Sequence, residues 1–448
     1  MRYQQTVSRG SEQEQRIFRV AVFCVCQLLT FAMLAQRPNP APPQAKSILV
    51  KGGTVHVGNG KVIDDGAVGL RNGKIDFVGF EYGATAVYDT VIDAHGTHVY
   101  PGFILADATL GLQEVDQVRA TADVDETGDM EPEVRAQPAF NVDSRIIPTV
   151  RSNGVLVVQV TPRGGVISGT SSIMQLDAWD WEQATVKVDD GIHINWPRAY
   201  VREGWWAEPG ATKKEKQDVR AERIDALRQF FITAKAYGTA KASEADLRCA
   251  AMQGLFNGSQ TLFVHADLAR EIQEAVLFAK EFGISRLVIV GGYDAWRVSD
   301  LLRDNKIDVV LQRLHSLPHR DDDDLDLPYR LPALLKERGV RFCLGYSGEH
   351  DRMGSRNLAF TAGTAAAYGL DKEAALQSIT LDAARVLGID KAYGSLEVGK
   401  SATLIVSTGD VLDMRSNNVT QAFIDGRRIS LDDHQKALYR QYMAREVK

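Results

Sequence analysis

Cysteine is scarce. The chain has four in 448 residues, and two of them, Cys24 and Cys26, lie in an apolar run near the N-terminus. A disulfide framework is therefore excluded, and the core must hold the fold. Basic runs are missing too: with a net charge of -6 and a pI near 5.9, the chain has no electrostatic footprint for nucleic acid. The apolar run at 20–35, "VAVFCVCQLLTFAMLA", falls short of the ~20 residues that span a bilayer. The Gly-rich stretch 161–171, "TPRGGVISGTS", lacks the Lys of a phosphate loop and reads as a turn. The acidic run Asp321 to Asp324 lacks the alternating ligands and Gly of an EF-hand loop and reads as solvated.

What is present is organised. Arg16 and Arg19 precede the apolar run, which ends in small residues and a Pro-rich stretch. That is the pattern of a secretory signal, with cleavage expected near Ala35 and an uncleaved anchor as the alternative. The expected destination is the periplasm or the medium, without a stable membrane span. The remaining layout is a linker over 36–45, a β-domain built from 46–100 and 393–430, a larger domain over 101–392, and a C-terminal helix over 431–448. Alternating apolar and polar residues around turns such as Asn72-Gly73 predict hairpins at both ends of the chain. From Thr261 on, four Val-, Ile- and Leu-rich strands each precede an amphipathic helix, which argues for buried parallel strands with helical crossovers. Four such units amount to half of an eight-unit barrel. Between residues 171 and 206 no strand is legible.

At 99–112, "VYPGFILADATLGL" sets Asp107 and Thr109 two residues apart on one face of a strand tip. Together with "VHAD", "ITLDAARVLGI", "GSLEVGKSATLIV" and "VTQAFIDGRRI", it resembles the metal-dependent amidohydrolase superfamily, in its imidazolonepropionase-like and prolidase-like branch, over nearly all of residues 46–430. The resemblance implies an α/β fold, a (β/α)8 TIM barrel with a β-sandwich formed by both chain ends, and hydrolysis of a carbon–nitrogen bond in a cyclic amide or peptide-like substrate. It also implies metal held by a His-x-His pair on the first strand, His on the fifth and sixth strands and Asp on the eighth. Here Asp107 and Thr109 stand in the His-x-His frame, His265 matches the fifth-strand His, Gly291 stands at the sixth strand, and Tyr346 or Ser347 replaces the Asp. Only His265 is retained, so a divalent metal such as zinc is disfavoured.

The expected catalytic groups are Asp107, His265 and Glu349, with Thr109, His315, Tyr346 and Ser347 lining the substrate site. For Asp107 the structural alternative is capping a turn, for His265 a histidine satisfied by hydrogen bonds, and for Glu349 a polar loop. Five tryptophans between 179 and 206 read as a ligand platform, a partner interface or a packed insertion. A second function stands beside the hydrolase: a catalytically inactive relative that binds a small or peptide-like ligand, forming homo-oligomers or pairing with an active paralogue.

Overall fold

Hairpin chemistry shapes the start of the chain. In the computed structural model, which describes residues 39–115, 118–199, 213–238, 245–348 and 351–446, β1 (Ile48–His56) pairs with β2 (Val62–Arg71), and β2 with β3 (Lys74–Phe80). The β2–β3 turn is closed by Asn72 and Gly73, both at positive φ (51° and 78°), as a two-residue turn matched to strand twist requires. Next come β4 (Thr90–Asp93) and β5 (His98–Pro101), each parallel to β1. The expected leader lies outside the described residues, as do Glu349, Trp205 and Trp206.

The chain then enters a barrel. Its strands are β6 (Phe103–Ala108), β7 (Val155–Val160), β8 (Ile167–Gln175), β9 (Thr185–Asn195), β10 (Thr261–Ala266), β11 (Leu287–Gly291), β12 (Asp308–Leu311) and β13 (Phe342–Leu344). They pair in sequence order, and a bridge from Ala106 to Gly345 joins the last strand to the first. Helices such as Ala269–Phe282 follow the later strands. Ile272, Ala275, Val276 and Ala279 of that helix are buried, at the i, i+3, i+4, i+7 spacing of a core-facing stripe. Fully burying a strand residue such as Leu105 or Phe263 contributes about 1.5–3 kcal/mol.

One strand departs from the all-parallel barrel. β8 runs antiparallel to both β7 and β9, so the turn expected over 161–171 ends at 166 and Ile167 already belongs to a strand. A short helix, Trp181–Ala184, capped by the Asp180 side chain on the Gln183 N–H, leads into β9. This meander occupies the stretch in which no strand was legible.

The chain returns to the first sheet through β14 (Leu404–Ser407), β15 (Val419–Ile424) and β16 (Arg427–Arg428). β14 lies antiparallel to β5, Ile405 facing Tyr100, so both ends of the chain build the sandwich domain. Its core contains Val50, Val68, Leu70, Leu404 and Phe423. Asp177, at the end of β8, accepts from Arg151 at 2.6 Å, from Arg427 at 3.0 Å and from the Ala41 N–H at 2.9 Å. One buried carboxylate thus ties barrel, sandwich and linker together. Among the described residues, no helix is long and apolar enough to cross a membrane.

Candidate functional site

The parallel strands end together at one face of the barrel, where folds of this kind carry their sites. There the apolar run of β6 stops at Asp107, which is 1% exposed and stands at φ +52°, a left-handed conformation that Asp tolerates better than most residues. The Gln159 side chain accepts the Asp107 N–H at 3.1 Å. Arg163, in the turn between β7 and β8, donates from Nη1 to Asp107 Oδ1 at 2.5 Å and from Nη2 to the Asp107 carbonyl at 3.1 Å. Arg163 also lies 3.5 Å from Asp351 Oδ2, and Thr109 donates to Asp351 Oδ1 at 2.8 Å.

Two histidines face this acid. His193 comes from β9 and His265 from β10; His193 Nδ1 lies 3.0 Å from His265 Nε2, and His265 Nε2 lies 3.9 Å from Asp107 Oδ1. Behind His193, its Nε2 is 3.0 Å from Ser171 Oγ, and Ser171 donates to Asp190 Oδ1 at 2.7 Å. Burial, and next the neighbouring His265, push His193 well below the ordinary imidazole value. Burial lowers His265 too, against the pull of Asp107. Burial thus favours the neutral form of both rings. Burial by itself would raise the Asp107 carboxyl, but Arg163, helped by the two histidines, overrides it and holds the group below the usual carboxylate range.

Among the described residues, Asp107, His193 and His265 are the group of three that could hold a metal ion, with one ligand atom from each lying within 4.8 Å of the others. Two imidazoles and one carboxylate are a donor set suited to a catalytic divalent ion with open positions. Asp107 Oδ2 is buried without a hydrogen-bond partner, an orphan acceptor that a cation would satisfy. In kind and number, these residues fit the metal that the fold implies. Asp107 and His265 border a cavity of about 450 Å³ that is also lined by Thr109, Gln312, Ser347 and Asp351, whereas His193 is fully buried behind His265.

The Amidohydrolase family model matches residues 329–429. An amidohydrolase from Thermotoga maritima MSB8 shares 27% identity at a TM-score of 0.75, over 86% of this chain and 99% of that one. By this partial family match and by fold over most of its length, the chain resembles the amidohydrolase superfamily. Two further solved structures share the fold: a Xaa-Pro dipeptidase with bound methionine (17% identity, TM-score 0.52, 85% and 99% of the two chains) and a putative prolidase from Bifidobacterium longum (14%, 0.53, 91% and 100%). No curated protein matches.

Against the superfamily's pattern, the first-strand frame holds Asp107 and Thr109 as read from the sequence, and His265 stands on the fifth strand. The fourth strand adds His193, which sequence reasoning missed although "GIHIN" places it between two apolar residues at strand spacing. Gly291 at the sixth strand has φ +100°, and a Cβ there would meet Asp267 Oδ1 at 2.5 Å. A histidine at 291 would be strained by this φ and would have to displace the Asp267 carboxylate. Arg163 and Asp351 also escaped, because each acts from a turn or helix start rather than a strand.

Of the expected substrate-site residues, Thr109 and Ser347 line the cavity. His315 does not: the loop after β12 carries it outward, where Nε2 meets Thr364 Oγ1 at 2.7 Å over a separate groove. Tyr346 is buried rather than facing the cavity, its ring packed so closely on Gly354 that a Cβ there would lie 2.0 Å away. His319 stacks on Tyr293 with ring centroids 3.9 Å apart. The Asp323 side chain is only 5% exposed and accepts from Tyr293 and Arg320, an ion pair rather than a calcium loop. The tryptophans form no platform among the described residues: Trp179 is exposed, whereas Trp196 is buried and donates to Glu274 at 3.1 Å.

Proposed function

We propose that this chain is a hydrolase that cleaves a carbon–nitrogen bond in a small cyclic amide or peptide-like substrate, with one divalent ion held by Asp107, His193 and His265. The observation that carries the reading is the convergence of one ligand atom each from Asp107, His193 and His265 within 4.8 Å at the strand tips, with Asp107 Oδ2 buried and unpartnered. When bound, such an ion lowers the pKa of a coordinated water and polarises a carbonyl. The chain's own part is to hold the ligands and to offer a second carboxylate. Asp351, fixed by Thr109 and Arg163, borders the same cavity and is the group available to accept a proton in place of the missing eighth-strand acid.

A second reading is a non-catalytic binding relative. It is favoured by one observation, the Arg163 guanidinium that already neutralises Asp107. Elemental analysis of the purified protein, beside a hydrolysis screen of dipeptides and cyclic amides, separates the two. The hydrolase reading expects about one zinc, manganese or iron per chain and measurable turnover, with both lost in Asp107→Ala. A protein that stays metal-free and inert after incubation with each ion overturns it.

A further inference from the structure

Behind the metal-ligand group runs a chain of hydrogen bonds whose innermost member, Asp190, is 1% exposed and does not line the cavity. Its two oxygens have separate partners: Oδ1 accepts from Ser171 Oγ at 2.7 Å, and Oδ2 accepts from Gln159 Nε2 at 2.9 Å. The Gln159 amide cannot turn over, because its Oε1 must accept the Asp107 N–H at 3.1 Å. Ser171 has one hydroxyl hydrogen; of the acceptors within reach, His193 Nε2 at 3.0 Å, the Gly191 carbonyl at 3.2 Å and Asp190 Oδ1 at 2.7 Å, the carboxylate is the nearest and, being charged, the strongest. With that hydrogen committed, the Ser171 oxygen can only accept from His193 Nε2, 3.0 Å away. A neutral imidazole carries one N–H. If it sits on Nε2, then Nδ1 presents a lone pair toward His265.

We infer that Asp190, acting through Ser171, is a positioning residue that fixes His193 as its Nε2–H tautomer and so keeps the Nδ1 lone pair turned toward His265 and the ligand group. The inference rests on the metal reading above for its purpose, though not for its geometry. Such outer partners orient a ligating imidazole, and losing one commonly weakens metal binding by about 10- to 100-fold. The antiparallel course of β8 is what makes this chain of hydrogen bonds possible. It brings Ser171 opposite Gly191 and Gly169 opposite His193, so the hydroxyl stands beneath the ring.

Asp190→Asn inverts the donors at nearly constant shape. Because Gln159 still presents its N–H₂ to this side chain, the new amide must turn its oxygen to Gln159 and its N–H₂ to Ser171. The hydroxyl hydrogen is then released toward His193 Nε2, which favours the Nδ1–H tautomer.

The test is the long-range proton–nitrogen spectrum of ¹⁵N-histidine-labelled, metal-free protein, a tractable one with nine histidines; His193→Gln assigns the signal, and zinc titrations run in parallel. Expected are an Nε2–H tautomer for His193 in the wild type, a shift toward Nδ1–H in Asp190→Asn and in Ser171→Ala, and zinc binding weakened about 10- to 100-fold in both. A wild-type His193 that is Nδ1–H or protonated at pH 7 overturns the inference without any variant. So does an Nε2–H signal unchanged in a folded Asp190→Asn. If the tautomer shifts as expected while the wild type binds no zinc, manganese or iron, the relay stands and the metal reading falls.

Discussion

Asp107 stands at the point where a strand of hydrophobic residues ends in a left-handed bend, and its oxygens are divided: Oδ1 serves Arg163 and Oδ2 serves nothing in the protein. Unit charges ~5 Å apart interact by about 3 kcal/mol at an effective dielectric of ~20, so the guanidinium opposes any cation bound beside this carboxylate. Arg163→Met is expected to tighten divalent-ion binding about tenfold or more, as read by titration calorimetry. Weaker binding would instead mean that Arg163 holds the acid in place. Asp190 gives a pH signature of opposite sense to that of a paired surface acid. Burial pushes its carboxyl up to about 6, against about 3.9 in an unfolded chain. A raised carboxyl contributes stability that is fully present below about pH 4 and is lost as pH rises through about 6, a loss of about 3 kcal/mol. Asp190→Asn lacks this loss, so urea unfolding at pH 4 and pH 7 should show wild type falling by that amount relative to the variant. Equal differences at the two pH values contradict the assignment. Asp107 and His265 were legible because they sit at ends of apolar runs in recognisable frames. His193 was not, since one histidine in an alternating strand is indistinguishable from a packed one until its neighbours are known.

At the scale of elements, the parallel strands β10 to β13 were readable from continuous apolar runs. β8 was hidden by the opposite property: "ISGTSSIMQ" is rich in Ser, Thr and Gly, yet every residue of it is buried. Its hydroxyls find partners inside the barrel, Thr170 on the Pro132 carbonyl at 2.7 Å and Ser168 on the Gly164 carbonyl at 2.8 Å, as buried polar groups must. The end of β11 is equally specific. Gly291 combines a positive φ with the Asp267 carboxylate 2.5 Å from where a Cβ would sit, and burial raises that carboxyl above its ordinary value. Gly291→Ala should therefore cost about 1–3 kcal/mol, visible as a lower denaturant midpoint with an unchanged slope. A neutral substitution would mean that the β11 tip relaxes more freely than its geometry indicates.

Across the whole molecule, the joint between sandwich and barrel depends on Asp177, which is 5% exposed and shared by Arg151 and Arg427. Removing one partner of a buried ion pair leaves charge uncompensated and costs about 3–5 kcal/mol. Asp177→Ala should show a loss of that size in chemical unfolding, and a loss under about 1 kcal/mol would mean that solvent reaches the two guanidiniums. The discontinuous sandwich was legible because its hairpins recur at both chain ends, whereas this joint was invisible, being built from residues far apart in sequence. The pairing of β5 with β14 has a further consequence, in time rather than in energy. Roughly 300 residues separate Pro101 from Leu404, and at the ~5–20 residues per second of synthesis the free edge of β5 waits on the order of 15–60 seconds for its partner. An open strand edge is a template for pairing with another chain, so the newly made protein carries an aggregation hazard during synthesis, in the sheet that the finished fold completes last.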